Sequence, residues 1–575
     1  MSRLLVLNVL MIGLLCNADL QAQDFEKVAP KQPKPETRKI ELPKSAEPTV
    51  ELMKEDAVLA EELKGLVFVD SQDKVSKDAL DKTGIHIPGI ALEETASLVE
   101  KLRGFLGKPV SFNLLHDIAG EVILYYRDQD RPVVDVIVPE QDITLGVVQF
   151  VVVEGRLESV EAKGNRWFDS ELLTEQVRVR RGDSVSAEKI LKDLEWLNSN
   201  PFREVDVAFT PGKNLGQTDV ILHTRDRFPV RFFGGYEDTG NDLTGDERWI
   251  AGMNWGNAFF ADHQLSYQFT TSSDIASLKA HSAVYLIPLP WRHKLNIFGS
   301  RTETEADAAG VFNLRGRSWQ VGTRYVIPLP SIETWDHELE FGFDFKQSNN
   351  NLEFGGTNVF ASTTDVNQWV MGYNASLPDR FGATSLRAAM YYSPGGWSDN
   401  NKDSAFAVAN AFADAEYFYA KIELNRTTRL PWDFTFFNKF IFQESDDSLL
   451  GSEQLGFGGF DSVRGYDERE VNGDTGFLMT LEVRTPPVSI AELFDAEKDV
   501  QDQLQFLFFW DYGQAQFDQV AAGVNDNIEL SGVGPGVRYE INPYLSVRAD
   551  YGFQLIDAGN TRYASRCHLG VLLSY

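Results

Sequence analysis

At 575 residues, with 43% apolar and 12% aromatic content, the chain is long enough to bury a large core and to divide into two or three domains. Its formal net charge of −31 makes nucleic acid a poor partner, because phosphate binding needs clustered Lys and Arg. Eight scattered histidines and two cysteines, without HExxH, CxxC or GxSxG spacing, give no support to a catalytic site, a metal site or a cofactor.

The N-terminus reads as a secretory signal peptide over residues 1–22, with Arg3, an apolar run over 4–15, and cleavage after Ala22 with Leu20 at the −3 position. The run is too short to cross a bilayer as a helix, which takes about 20 apolar residues. Cys16 makes a poor lipoprotein cysteine, since Leu15 precedes it where a small side chain is wanted. With the leader removed, Cys567 is the cysteine that remains, and no disulfide framework forms within the chain. Residues 23–63 form a Pro/Lys-rich linker containing Pro30, Pro33, Pro35, Pro43 and Pro48. A weak helical pattern over 50–63, carried by Leu52, Leu59 and Leu63, predicts an exposed or capping helix at its end.

Residues 64–226 alternate helical and strand patterns twice. Over 64–154 the sequence predicts a strand at 66–69, helices at 93–105 and 112–126, and β-branched strands at 133–138 and 147–153. Over 155–226 it predicts a strand at 157–162, helices at 170–177 and 186–198, and strands at 205–209 and 218–223, punctuated by Gly164 and Gly182. These are two small α+β modules.

From 227 to 575 the helical period disappears. Leu265, Tyr267 and Phe269 alternate with Gln264, Ser266 and Gln268, and Phe418, Ala420, Ile422 and Leu424 with Tyr419, Lys421, Glu423 and Asn425. Farther on, Leu545, Val547, Ala549, Tyr551 and Phe553 alternate with Ser546, Arg548, Asp550 and Gly552. A soluble sandwich shows the same alternation. A transmembrane barrel is favoured by the leader, by sixteen such segments, and by connectors that alternate in length. Short ones fall at 260–262, 288–291, 430–432 and 541–544, and long polar ones at 238–247, 349–365, 393–404 and 445–473. A connector at 488–500, on the short side, has room for a small helix.

The stretch GFGGFDSVRGYDEREVNGDTG, residues 456–476, puts Arg464 at the middle of the longest loop, between Val463 and the Gly465, Tyr466 pair. Downstream, Leu504, Phe506, Phe508, Trp510 and Tyr512 make the greasy face of a strand, so Gln505, Phe509, Asp511 and Gly513 point into the lumen. Glu482 points inward by the same parity against Phe477, Met479, Leu481 and Val483. If the loop folds back into the barrel, Arg464 meets Asp511, with Glu482 as a second acceptor. That pair either anchors the loop as structure or fixes the position it takes in the lumen.

Three stretches resemble the outer-membrane transporters of two-partner secretion, of the haemolysin and filamentous-haemagglutinin secretion/activation type. VPEQDITLGVVQFVVVEGRL, 138–157, is similar to the end of that family's first POTRA module. GGYEDTGNDLTGDERWIAGMNWGN, 234–257, resembles its first barrel hairpin, with Asp238 where the pattern has Asn. VRGY, 463–466, and FWDYG, 509–513, resemble its inward-folded loop and the strand that loop contacts. The resemblance covers residues 65–575 and implies a transmembrane β-barrel of about 16 antiparallel strands preceded by two POTRA modules, 64–154 and 155–226. It implies an outer-membrane protein with periplasmic modules, which captures an unfolded secreted exoprotein, with the strands at 147–153 and 218–223 and their helices as capture surfaces. It also implies that Leu569, Val571, Leu573 and Tyr575, with Tyr where Phe is commoner, are the C-terminal signal by which barrel-assembly machinery inserts the protein among outer-membrane lipid. A pore-plugging N-terminal helix is not clear in the sequence. The alternatives are an outer-membrane assembly factor, whose relatives carry three or more POTRA modules, and a diffusion porin.

Overall fold

The computed structural model describes residues 25–33, 42, 57–90, 92, 95–241, 244–308, 312–354, 357–493, 502–558 and 564–575. The expected leader lies outside them. The chain divides into two compact units, of which one holds the α/β modules and the other the barrel with the segment that precedes the modules.

A single helical turn, α1 (Phe25–Val28), opens the described chain. The first module comprises β1 (Val58–Ala60), β2 (Gly65–Val69), β3 (Gly84–His86), α2 (Ala96–Arg103), β4 (Val110–Ser111), α3 (Phe112–Asp128), β5 (Val134–Ile137) and β6 (Val147–Glu154). Its main sheet runs β3-β2-β6-β5. One face is covered by α2 and α3, whose Leu98, Leu102, Leu115, Ile118, Ala119 and Val122 pack on Leu66, Phe68, Val148, Phe150 and Val152. The other face buries Val67, Val69, Val147 and Val151. Burial on both faces explains why β2, and β6 apart from Gln149, read as near-continuous apolar runs rather than as alternation. The expected helix over 50–63 is not formed in its described part: β1 pairs with β4, and Leu63 is fully buried in the module core. Pairing and burial override a pattern that had only three leucines to support it.

The second module comprises β7 (Arg156–Lys163), α4 (Ser170–Thr174), α5 (Ala187–Leu197), β8 (Arg203–Pro211) and β9 (Gln217–Asp226), in sheet order β7-β9-β8. Ile190, Leu194 and Leu197 form the buried stripe of α5, and Ser186 caps it by accepting from the Lys189 amide at 3.2 Å. Both expected capture strands, β6 and β9, are flanked by neighbours on each side. They have no free edge on which another strand could pair. Among the described residues, the free edges belong to β3 and β5 in one module and to β7 and β8 in the other.

The modules are joined by a specific contact. Asp130 sits in the left-handed region, with φ of 62°, just past α3. That backbone turn aims its carboxylate at the start of α5, where it accepts from the Ser186 hydroxyl at 2.5 Å and the Glu188 amide at 2.7 Å. One module therefore supplies a cap for the helix of the next.

The barrel strands are β10 (Val230–Glu237), β11 (Arg248–Ala258), β12 (His263–Thr271), β13 (Leu278–Pro288), β14 (Lys294–Ala308), β15 (Phe312–Pro328), β16 (Asp336–Phe354) and β17 (Thr357–Asp379). They continue as β18 (Gly382–Pro394), β19 (Glu416–Arg429) and β20 (Thr435–Ser445), with helix α6 (Asp403–Ala409) between β18 and β19. The long loop carries a small hairpin, β21 (Leu455–Phe457) and β22 (Val471–Gly473). After it come β23 (Thr475–Arg484), the turn α7 (Ile490–Leu493), β24 (Asp502–Gln516), β25 (Asn527–Ile541), β26 (Leu545–Gln554) and β27 (Ser565–Ser574). Sixteen strands close into one antiparallel barrel, from β10 round to β27 without β21 and β22. At the seam Tyr575 exchanges two backbone hydrogen bonds of 2.9 Å with Phe232.

Trp249, Trp319, Phe341, Trp369, Phe418, Phe442, Phe508 and Trp510 stand exposed on the outer face, while Asn254, Gln268, Asp344, Gln368 and Gln443 are buried inward. This is the inverted polarity of a lipid-facing barrel. The polar loop expected over 349–365 is instead the tip of a long hairpin, with β16 and β17 paired as far as Phe354 and Thr357. Polar residues such as Asn349, Asn350 and Asn351 give no apolar alternation, so the strand signal stops before the pairing does. Of the helix expected within 488–500, α7 is described, and 494–500 lie outside the described residues.

Residues 25–32 run along the inner wall of the barrel. Val28 packs on Leu278 and Ala280, and its carbonyl accepts from Gln268 and Ser282. The Lys31 amide donates to Gln268 Oε1 at 3.1 Å, Asn254 Nδ2 donates to the Lys31 carbonyl at 3.1 Å, and Lys31 pairs with Glu237 at 2.7 Å. Apart from the packing of Val28 and the Lys31–Glu237 pair, these are polar contacts to the segment's backbone, which is how a Pro/Lys-rich stretch that reads as linker can line a lumen.

Asp130→Ala should cost the α5 cap about 1 kcal/mol. Hydrogen exchange should rise at Glu188 and Lys189 while the module core, measured at Leu194 and Val220, stays protected; unchanged exchange at 188–189 would show that the cap contributes nothing.

Candidate functional site

The loop between β20 and β23 enters the lumen as an ordered body. Leu455, Phe457, Val463, Tyr466 and Val471 bury one another against Ile441, Leu478, Ala515 and Leu530 of the wall. Val463 and Tyr466 are fully buried, and the Tyr466 hydroxyl donates to the Ser531 carbonyl at 3.0 Å and accepts from the Ser531 amide at 3.1 Å. Gly465 adopts φ of 101°, which L side chains rarely take, and its amide donates to His568 Nε2 at 3.1 Å. Close approach also depends on bare backbone in the wall, since a Cβ on Gly532 would lie 1.9 Å from the Arg464 carbonyl oxygen and one on Gly513 2.7 Å from Phe457.

These contacts deliver Arg464 to a carboxylate cluster. Its Nε and Nη2 donate to Asp511 Oδ2 and Oδ1 at 2.7 and 2.9 Å, its backbone amide donates to Asp511 Oδ2 at 3.1 Å, and Nη1 donates to Glu482 Oε1 at 2.7 Å. Asp550 Oδ2 lies 3.6 Å from Nη1, and the guanidinium stacks 3.5 Å above the Phe509 ring centroid. Arg464 is 2% exposed and Asp511 is fully buried. A planar fork satisfied by two carboxylates and lying on an aromatic face is a use of Arg that Lys cannot reproduce.

The carboxylates are shared with further cations. Arg484 donates to Glu482 at 2.6 Å, Arg538 and Arg548 donate to Asp550 at 2.8 and 2.9 Å, and Arg548 also reaches Asp461 of the loop at 2.7 Å. Four guanidiniums thus meet four carboxylates, and no charge in the cluster is left alone. Strand parity puts Arg548 and Asp550 on the luminal face, but which of several inward charges meet is decided by register between strands, which one sequence does not carry.

A second anchor holds the root of the same loop on the opposite arc of strands. Glu453 is buried and accepts from Lys346 Nζ at 2.8 and 3.0 Å, Gln368 Nε2 at 3.1 Å and the Tyr419 hydroxyl at 3.0 Å, on β16, β17 and β19. It lies in an acidic loop of unremarkable composition, and no pattern in the sequence singled it out.

Leu569 and Leu573 lie on the exposed side of β27, with Val571 in the same alternation, and Tyr575 follows at the seam, 92% exposed. Among the described residues no His, Cys, Asp and Glu are grouped as a metal site would require.

The profile of the family described as "Haemolysin secretion/activation protein ShlB/FhaC/HecB" matches residues 216–539. The chain is 22% identical over 468 residues to the heme/hemopexin transporter protein HuxB of Haemophilus influenzae strain 86-028NP, covering 77% of this chain and 78% of that one. It is 23% identical over 426 residues to the hemolysin transporter protein ShlB of Serratia marcescens, covering 70% and 72%. Among solved structures, CdiB from Escherichia coli superposes with a TM-score of 0.66 at 17% identity, over 96% of this chain and 94% of that one, a likeness of fold.

Arg464→Ala leaves Asp511 buried without its partner and should cost the loop about 3–5 kcal/mol. At about 1.4 kcal/mol per decade, amide exchange over 455–473 should rise a hundredfold or more, with little recovery in Arg464→Lys. Retained protection in Arg464→Ala would show that the apolar contacts of Val463 and Tyr466 suffice.

Proposed function

This chain belongs to the haemolysin secretion/activation family, and from that membership we propose how its modules and luminal loop are used. It is an outer-membrane transporter of two-partner secretion, with N-terminal modules in the periplasm, that moves an exoprotein to the cell surface. The two α/β modules are read as POTRA modules. They capture the unfolded exoprotein by strand addition, and the edge suited to it is β8, nine residues long and, among the described residues, unpaired on one side. Affinity then comes mainly from backbone hydrogen bonds, which suits a cargo that must stay unfolded. With no nucleotide-binding motif in the chain, folding of the product outside makes export directional.

The observation that carries the mechanistic reading is the full neutralisation of Arg464 by residues of the barrel wall. Its partners come from β23, β24 and β26, so the loop is held to three strands by one residue. We assign this pin the task of keeping the loop clear of the conduit while cargo passes. The face formed by Leu569, Val571, Leu573 and Tyr575 is assigned as the signal read by barrel-assembly machinery when the protein enters outer-membrane lipid.

The secreted and outer-membrane proteomes of the source cell, compared with and without this protein, test the reading. Loss of one large exoprotein with other barrels at normal level is the expected result. A broad fall in outer-membrane barrels would replace it with an assembly factor.

A further inference from the structure

A cavity of about 370 Å³ lies in the lumen, lined by residues 25–32, the wall and the long loop. Most charges facing it are already matched. Arg324 on β15 donates to Asp344 at 2.6 and 2.8 Å and lies 3.0 Å from Glu340, and Lys346 is bound by Glu453. Arg387 on β18 and Lys421 on β19 stand apart from those pairs. Glu423 is Arg387's register neighbour on β19, and Lys439 on β20 adds a further cation whose Nζ contacts the Asp461 carbonyl at 3.4 Å.

Besides Glu340, which lines the same cavity, and Glu423 on β19, a further carboxylate near Arg387 and Lys421 comes from the N-terminal segment. Glu26 Oε1 lies 3.8 Å from Arg387, beyond hydrogen-bonding reach, and its side chain is 66% exposed to the luminal cavity. Lys421, working against burial and assisted by Arg387, holds the Glu26 carboxyl below the usual carboxylate range. The contact is long-range and open to the cavity, unlike the buried fork at Arg464.

We propose that Arg387 and Lys421 form a carboxylate-binding site on the luminal wall, which Glu26 occupies at rest and acidic side chains of the polypeptide in transit occupy once it withdraws. The inference rests on the transport reading. It gives the pore a preference for acidic over neutral or basic extended segments, and the size of that preference is set by one or two solvated ion pairs.

The test is single-channel current through the full chain in planar bilayers, with unstructured peptides of about 20 residues, long enough to span the barrel when extended, added on the side of the modules. Acidic, neutral and basic peptides of one length serve as probes, in the native protein and in Glu26→Gln. The acidic peptide should block current with a residence about three- to tenfold longer than the neutral one, an excess that shrinks in high salt. In the Arg387→Gln/Lys421→Gln double variant the excess should vanish while block by the neutral peptide persists, which also verifies a folded pore. Equal residence of acidic and neutral peptides, or an excess that survives in the double variant, overturns this site and leaves transport standing. Absence of block by every peptide overturns both.

Discussion

The constraint on which the rest of the pore depends is the burial of one guanidinium. A cation held at 2% exposure is tolerable only if its charge and its donors are met, and Arg464 is met by Asp511, Glu482 and, at longer range, Asp550. Those carboxylates stand on three strands, so this ordering of the loop depends on a register that aligns β23, β24 and, one strand further round, β26. Fold and site are therefore coupled. The bare backbone at Gly532 and Gly513 and the positive φ of Gly465 are the local geometry that lets the loop come close enough.

Charge is distributed in the lumen according to how dry each position is. The tip of the loop is sealed by fully matched arginines and carboxylates, and its root by Glu453 with Lys346, Gln368 and Tyr419. Two anchors on opposite arcs of the wall leave the middle of the lumen to an open cavity, where Glu26 makes only a long-range contact of 3.8 Å. Tight pairing where the loop must stay, and weak pairing where something must move, is the division expected of a conduit.

Much of this was legible in the amino-acid order. Period-2 alternation gave the barrel, its strand number and the inward parity of Glu482, Phe509, Asp511 and Gly513, because strand geometry forces successive side chains to opposite faces. The failures share a cause. The helix expected over 50–63 gave way to pairing of β1 with β4, the loop expected over 349–365 proved to be a paired ribbon, and the capture strands proved to be central, all consequences of which strand lies beside which. Asp550, Arg538, His568 and Glu453 escaped notice for the same reason, since their partners are distant in sequence. Residues 25–32 were hidden because most of what holds them is hydrogen bonding of their backbone with Gln268 and Asn254, and Phe25 and Val28 alone make too short an apolar signature.

Whether the arginine pin serves export or only barrel integrity is decided by measuring two quantities in the same cells expressing Arg464→Ala: the folded barrel in the outer membrane and the exoprotein at the surface. The account predicts a barrel at near-normal level with export lost. Export at the native level from an inserted Arg464→Ala barrel would contradict it.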